Sequence, residues 1–122
     1  MPKDATSDAE IEDCFDVMSE LRTHLKREEF LETIRLMESE GFRLAYIEDN
    51  GDVVAVAGYR IYTNLFLGKN LYVDDLVTDG ARRSGGHGAA LLGWLRHQAR
   101  EAGRIGSKDG SESMSDGRSG RR

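Results

Sequence analysis

The stretch FRLAYIEDNGDVVAVAGYRIY, residues 42–62, constrains the fold more than any other part of the chain. Before Gly41 the apolar residues recur at three- and four-residue spacing, and after it they alternate. Asn50-Gly51 divides the stretch, and this is the pair that a two-residue type I′ hairpin prefers, because both central residues need positive φ. Two antiparallel strands are therefore expected. In the second, Val53, Ala55, Ala57, Tyr59 and Ile61 alternate with Val54, Val56, Gly58 and Tyr62. Both faces are apolar or small, which marks an interior strand covered on both sides.

The covering layers are legible on either side. Ser7 and Glu10 make a capping-box pattern that satisfies orphan N–H groups at a helix start. Ile11, Cys14, Phe15, Met18, Leu21 and Leu25 follow as one apolar stripe, predicting a single amphipathic helix. Cys14 lies inside the stripe and reads as a small buried hydrophobe rather than a nucleophile. A second helix is expected from Lys26 to Glu40, with Phe30, Leu31, Ile34 and Met37 inward and Gly41 as its left-handed stop. Downstream, TNLFLGKN turns the chain, LYVDDLVT (71–78) makes a third strand, and a helix through Leu91, Leu92, Leu95 and Ala99 follows. The predicted order is α-α-β-β-β-α, an α+β (mixed α/β) class with an antiparallel meander.

Charge and length narrow the function. A chain of 122 residues suits one compact domain. Its formal net charge of -5 argues against a nucleic-acid partner, since phosphate binding favours a basic surface. The single cysteine excludes an internal disulfide framework and fits a reducing cytoplasm. MPKDATSDAE has no apolar core of a signal peptide, and no run approaches the roughly 20 apolar residues that span a bilayer. A cytoplasmic protein that does not engage membranes is the expectation. His24 and His97, placed on helices, have no metal-ligand partners at useful spacing, so no metal is expected.

Between the third strand and the last helix lies ARRSGGHGAALL (81–92). A strand entering a glycine-rich turn that opens a helix is a generic anion site: the first helical turn has free N–H groups, and the macrodipole places positive charge there. Arg82 and Arg83 could add cationic contacts. The stretch lacks the Gly-Lys-Ser/Thr ending of a P-loop and the Gly-x-Gly-x-x-Gly of a dinucleotide fingerprint. Taken alone, the glycines fit a site or a flexible turn equally well.

LYVDDLVTDGARRSGGHGAALLGWLRHQARE resembles the central cofactor motif of the GNAT family of acyl-CoA-dependent N-acyltransferases. That motif is a strand, a turn reading Arg/Gln-x-x-Gly-x-Gly/Ala, and a helix. Here the turn is Arg83-Ser84-Gly85-Gly86-His87-Gly88, followed by Ala89. With the upstream helices and meander, the likeness extends over roughly residues 5–102. The resemblance implies a co-substrate, acetyl-CoA or a related acyl-CoA, with its pyrophosphate on the backbone from Ser84 to Ala89. It implies a pantetheine arm along Leu76, Val77 and Thr78, and an N–H near Leu76 that stabilises the oxyanion. Asp75 and its neighbour Asp74 lie where family members often carry an acid for the base or for amine binding. They would equally suit two aspartates solvating a strand bulge. The implied activity is direct acetyl transfer from acetyl-CoA to a primary amine of a small molecule or peptide.

The turn departs from the family at three places. Ser84 stands where glycine is usual, Gly85 where a basic residue is common, and His87 where an aliphatic is common. A larger departure follows Ala102. GRIGSKDGSESMSDGRSGRR is dominated by Gly, Ser and charge, so residues 103–122 are expected to form a disordered tail behind an acyl-CoA-binding domain of residues 1–102. The family's splaying strand, later helix and closing strands are not recognisable there, which reads as a truncated or frameshifted gene product. On that reading Leu71 to Thr78 are left as an exposed edge that invites a homodimer. Non-catalytic acyl-CoA binding, or a regulatory remnant of such an enzyme, is then the alternative function, and a purely structural interaction module is a third.

Overall fold

A computed structural model describes residues 1–66, 68–103 and 114–116. Its centre is the hairpin of β2 (Phe42–Asp49) and β3 (Asp52–Asn64). Asn50 and Gly51 take φ of 54° and 86°, the two positive values that the type I′ turn demands. β3 continues into β4 (Gly68–Thr78), again antiparallel, and the two run side by side from Ala55↔Thr78 to Asn64↔Gly68. A two-residue β1 (Lys3–Asp4) pairs with the outer side of β2, where Tyr59 Oη donates to Asp4 Oδ1 at 2.7 Å. No periodic signal marks so short a strand; pairing and that hydroxyl hold it.

α1 (Asp8–Asp13), α2 (Phe15–Leu21) and α3 (Arg27–Glu38) cover one face of the sheet. The capping box forms as expected: Glu10 N–H donates to Ser7 Oγ at 3.1 Å, and Ser7 N–H donates to Glu10 Oε1 at 3.0 Å. The single first helix does not. It divides at Cys14, whose N–H turns to the carbonyls of Ile11 and Glu12, and it stops at Leu21. Ile11, Cys14, Val17 and Met18 nevertheless share one buried stripe, so the apolar periodicity survives the break. The second helix is shorter than expected by a residue at its start and two at its end, and Gly41 has φ of 97°.

α4 (His87–Gly103) covers the other face through Leu91, Leu95 and Ala99. β3 is thereby enclosed from both sides, with Val56 toward α1–α3 and Ala55, Ala57 and Tyr59 toward α4. Of the segment expected to be a disordered tail, Gly103 ends α4 and Met114–Asp116 form a short strand, β5, parallel to β4 at Leu71–Val73. The remainder of that segment lies outside the described residues. β5 also corrects the expectation that Leu71 to Thr78 form an exposed edge: Leu71–Val73 pair with it, and among the described residues no strand pairs on that side with 74–78.

Candidate active site

β4 contains the feature that organises the site. Gly58 pairs with Asp75 and Tyr59 with Val73, so Asp74 is an extra residue, a bulge. A one-residue slip exchanges the faces of everything beyond it. Leu71 and Val73, before the bulge, pack beneath α4. In an unbroken strand Asp75 and Val77 would join them. Instead Leu76 turns to the α4 side, and Asp75 and Val77 turn toward α1–α3.

The two aspartates have different surroundings. Asp74 Oδ2 accepts from Arg60 Nε at 2.8 Å, and that guanidinium lies over the Phe42 ring. Asp75 receives Arg22 from the C-terminal end of α2, with Nε donating to Oδ1 at 2.7 Å and Nη2 directed at the same oxygen. Its side chain is only 13% exposed. Burial pushes the Asp75 carboxyl above the ordinary aspartate range, and the Arg22 pairing opposes the shift without cancelling it. Gly58 makes the arrangement sterically feasible. A Cβ there would stand 2.6 Å from Phe42 Cζ and 3.4 Å from Asp75 Oδ2.

The outer edge of β4 beyond the bulge carries backbone groups. Asp79 N–H donates to the Val54 carbonyl at 2.8 Å. Antiparallel ladders alternate hydrogen-bonded and open pairs, so Val77 and Asp75 bond to β3 while Leu76 and Thr78 direct their N–H and C=O groups outward. No strand pairs with that edge among the described residues.

The chain then enters a 3-10 helix, Gly80–Gly85, within the stretch expected to be a glycine-rich turn. Asp79 caps it by accepting from Ala81 N–H at 3.1 Å, and Glu20 Oε1 accepts from Gly80 N–H at 3.0 Å. Gly86 leaves the turn at φ 78°, and the first bond of α4 runs from Ala90 N–H to the Gly86 carbonyl. The N–H groups of His87, Gly88 and Ala89 consequently have no acceptor within the helix. A Cβ on Gly86 would meet nothing within 4 Å, whereas one on Gly88 would press on Thr78 Oγ1 at 3.0 Å. Gly86 leaves the space at the start of α4 open, and Gly88 lets α4 approach β4. The His87 ring folds back over Gly85. The side chains of Arg83 and Ser84 lie outside the described residues.

The Acetyltransferase (GNAT) family model matches residues 8–108. The chain belongs to the GNAT acetyltransferase family. An uncharacterised N-acetyltransferase of Bacillus subtilis (strain 168), YhdJ, is 33% identical over 102 residues, covering 83% of this chain and 72% of that one. A GNAT family acetyltransferase of Staphylococcus aureus shares the fold at a TM-score of 0.75 and 9% identity, over 94% of this chain and 83% of the other. The glucosamine-6-phosphate N-acetyltransferase of Arabidopsis thaliana does so at 0.69 and 19%, over 84% and 77%. This GNAT protein is thus an N-acetyltransferase, and its α+β fold is that of the family.

Asp74, Asp75 and the 83–89 turn, all singled out by the sequence, lie along and just beyond the C-terminal half of β4. Nothing in the sequence marks Arg22 beyond its place at the close of a helix, and His24, expected on a helix, lies in a turn. Gly58 was available as a signal, because an isolated glycine within an apolar strand marks close approach. Among the described residues no group of three or more His, Cys, Asp or Glu could hold a metal, and no helix is long and apolar enough to cross a membrane.

Proposed function

We propose that this acetyltransferase uses acetyl-CoA as donor and a primary amine as acceptor, with direct transfer between them. The observation that carries the reading is the Asp74 bulge. It sets the outward N–H of Leu76 and the inward carboxylate of Asp75 on consecutive residues, beside the open N-terminus of α4. The residues present fit a coenzyme: three N–H groups of the first turn of α4 have no acceptor within the helix, and the space beside Gly86 is clear.

On this reading the backbone from Ser84 to Ala89, with Arg83 beside it, holds the pyrophosphate. The edge through Leu76, Val77 and Thr78 holds the pantetheine arm, using the outward groups of Leu76 and Thr78. Acetyl-CoA, when bound, supplies an acetyl thioester that an unprotonated amine attacks, the coenzyme leaving as its thiol. Leu76 N–H faces the charge that develops on the carbonyl oxygen, where a fixed donor is most effective. Asp75 takes the proton from the amine nitrogen, a role its raised pKa suits. Asp74, held by Arg60, keeps the bulge in place and adds negative charge near the acceptor. An edge-to-edge dimer beyond Asp74 would use the same Leu76 and Thr78 groups and so compete with the coenzyme. The lone Cys14, buried with its thiol pushed up to about 12, accords with a reducing cytoplasm.

Coenzyme A thiol release, followed while acetyl-CoA and a panel of primary amines are supplied, tests the reading. Amine-dependent release supports it. Acetyl-CoA binding without release under any amine would instead indicate an acyl-CoA-binding protein.

A further inference from the structure

A cavity of about 340 Å³ lies between the end of α2, the α3 helix and the start of β2, and no role has yet been given to it. Its walls are mostly apolar, with Met18, Phe30, Ile34 and Met37 among them, and its polar lining is Asp75, Arg22, His24 and Thr33. The volume is at the small end for ligand sites, which combine an apolar lining with a few placed polar groups. Both Arg22 nitrogens converge on Asp75 Oδ1, and Oδ2 has no hydrogen-bond partner among the described residues. One acceptor oxygen is therefore available at the rim of an apolar chamber, on the residue next to Leu76.

We infer that the cavity receives the acceptor as a primary amine on a small arylalkyl or branched-alkyl skeleton, its apolar end against Met18, Phe30 and Met37 and its amino group at Asp75 Oδ2. The inference rests on the proposed acetyl transfer for its meaning, but the binding it asserts can be observed without the coenzyme. A hexosamine phosphate would set most of its hydroxyls against Met18, Leu25, Phe30, Ile34 and Met37, which offer them no partners, and Arg22, the nearest guanidinium, is already turned to Asp75. A polyamine would carry further charges into the same apolar space. A single ammonium with an apolar body sets its charge beside the Asp75 carboxylate and its skeleton against the apolar walls. Arg22 keeps Oδ1 occupied and so aims Oδ2 at the incoming nitrogen.

The test is titration of the full chain, carrying methyl-labelled methionine, with phenethylamine and no acetyl-CoA. The Met18 and Met37 methyl resonances shift saturably, while that of the exposed Met1 does not. Spermidine and glucosamine 6-phosphate leave all three in place. Asp75→Asn weakens phenethylamine binding about tenfold or more, while the neutral analogue phenethyl alcohol binds both proteins alike. Absence of any Met18 or Met37 shift, or equal shifts with spermidine, overturns the inference. Failure of acetyl-CoA itself to bind is a separate result, read in a separate titration.

Discussion

Arg22 Nε donates to Asp75 Oδ1 at 2.7 Å, joining the C-terminal end of α2 to the first residue beyond the β4 bulge. Neither partner could reach the other in an unbulged strand, because Asp75 would then lie under α4. Burial leaves Asp75 proton-seeking despite this pair, which suits proton transfer and is unfavourable for folding.

That cost has a definite sign. The folded-state pKa of Asp75 is raised above 3.8, so the stability linked to it is fully present below that value and lost as pH rises through the folded pKa. At neutral pH Asp75→Asn is expected to melt no lower than the parent, with the difference closing as pH falls toward 3.8. Turnover should fall by roughly 100-fold or more, the usual worth of a general base. A clearly lower melting temperature at neutral pH contradicts the burial argument.

Gly86 and Gly88 separate coenzyme binding from packing. A side chain at Gly86 enters open space at positive φ, costing about 1–2 kcal/mol of stability. It also stands at the proposed pyrophosphate site, a cradle formed by Ser84 to Ala89, so Gly86→Val should weaken acetyl-CoA binding about tenfold or more. Gly88→Val pushes on Thr78 and should lower the melting temperature as well. Equal coenzyme affinity in parent and Gly86→Val removes the cradle assignment.

Gly58→Ala forces the buried Phe42 ring to move, and overpacking of this kind costs about 1–3 kcal/mol. Denaturant titration checks the magnitude. Since the ring and Asp75 meet at the same point, activity should fall further than the loss of folded protein explains.

The N-terminal cap sets acid stability. N–H groups of Ser7 and Thr6, together with the Tyr46 hydroxyl, hold the Glu10 carboxyl down to about 2. Its contribution is present above 4.5 and lost as pH falls through the folded value. Glu10→Gln should therefore unfold more easily than the parent at neutral pH and equally easily near pH 2. A constant difference across that range contradicts the assignment.

Local chemistry was readable where one or two residues decide the backbone. Asn50-Gly51, Gly41 and the Ser7–Glu10 box each impose a conformation within a few residues, and each appears where expected. The break at Cys14 was hidden because the apolar stripe continues through it. The bulge at Asp74 was equally hidden, being a matter of register between β3 and β4 that no single strand encodes. Its consequence, which aspartate meets Arg22, was out of reach for the same reason. The capped 3-10 turn after Asp79 was masked by glycines that read as loop. β5 depends on pairing with β4 across a segment of polar composition, where periodicity gives no signal.

The proposed acetyl-CoA site is the turn from Ser84 to Ala89 together with the β4 edge. Calorimetric titration of acetyl-CoA into the 122-residue chain tests it. Saturable binding at a single site, displaced by free coenzyme A, is expected. No saturable heat from a folded sample would contradict it.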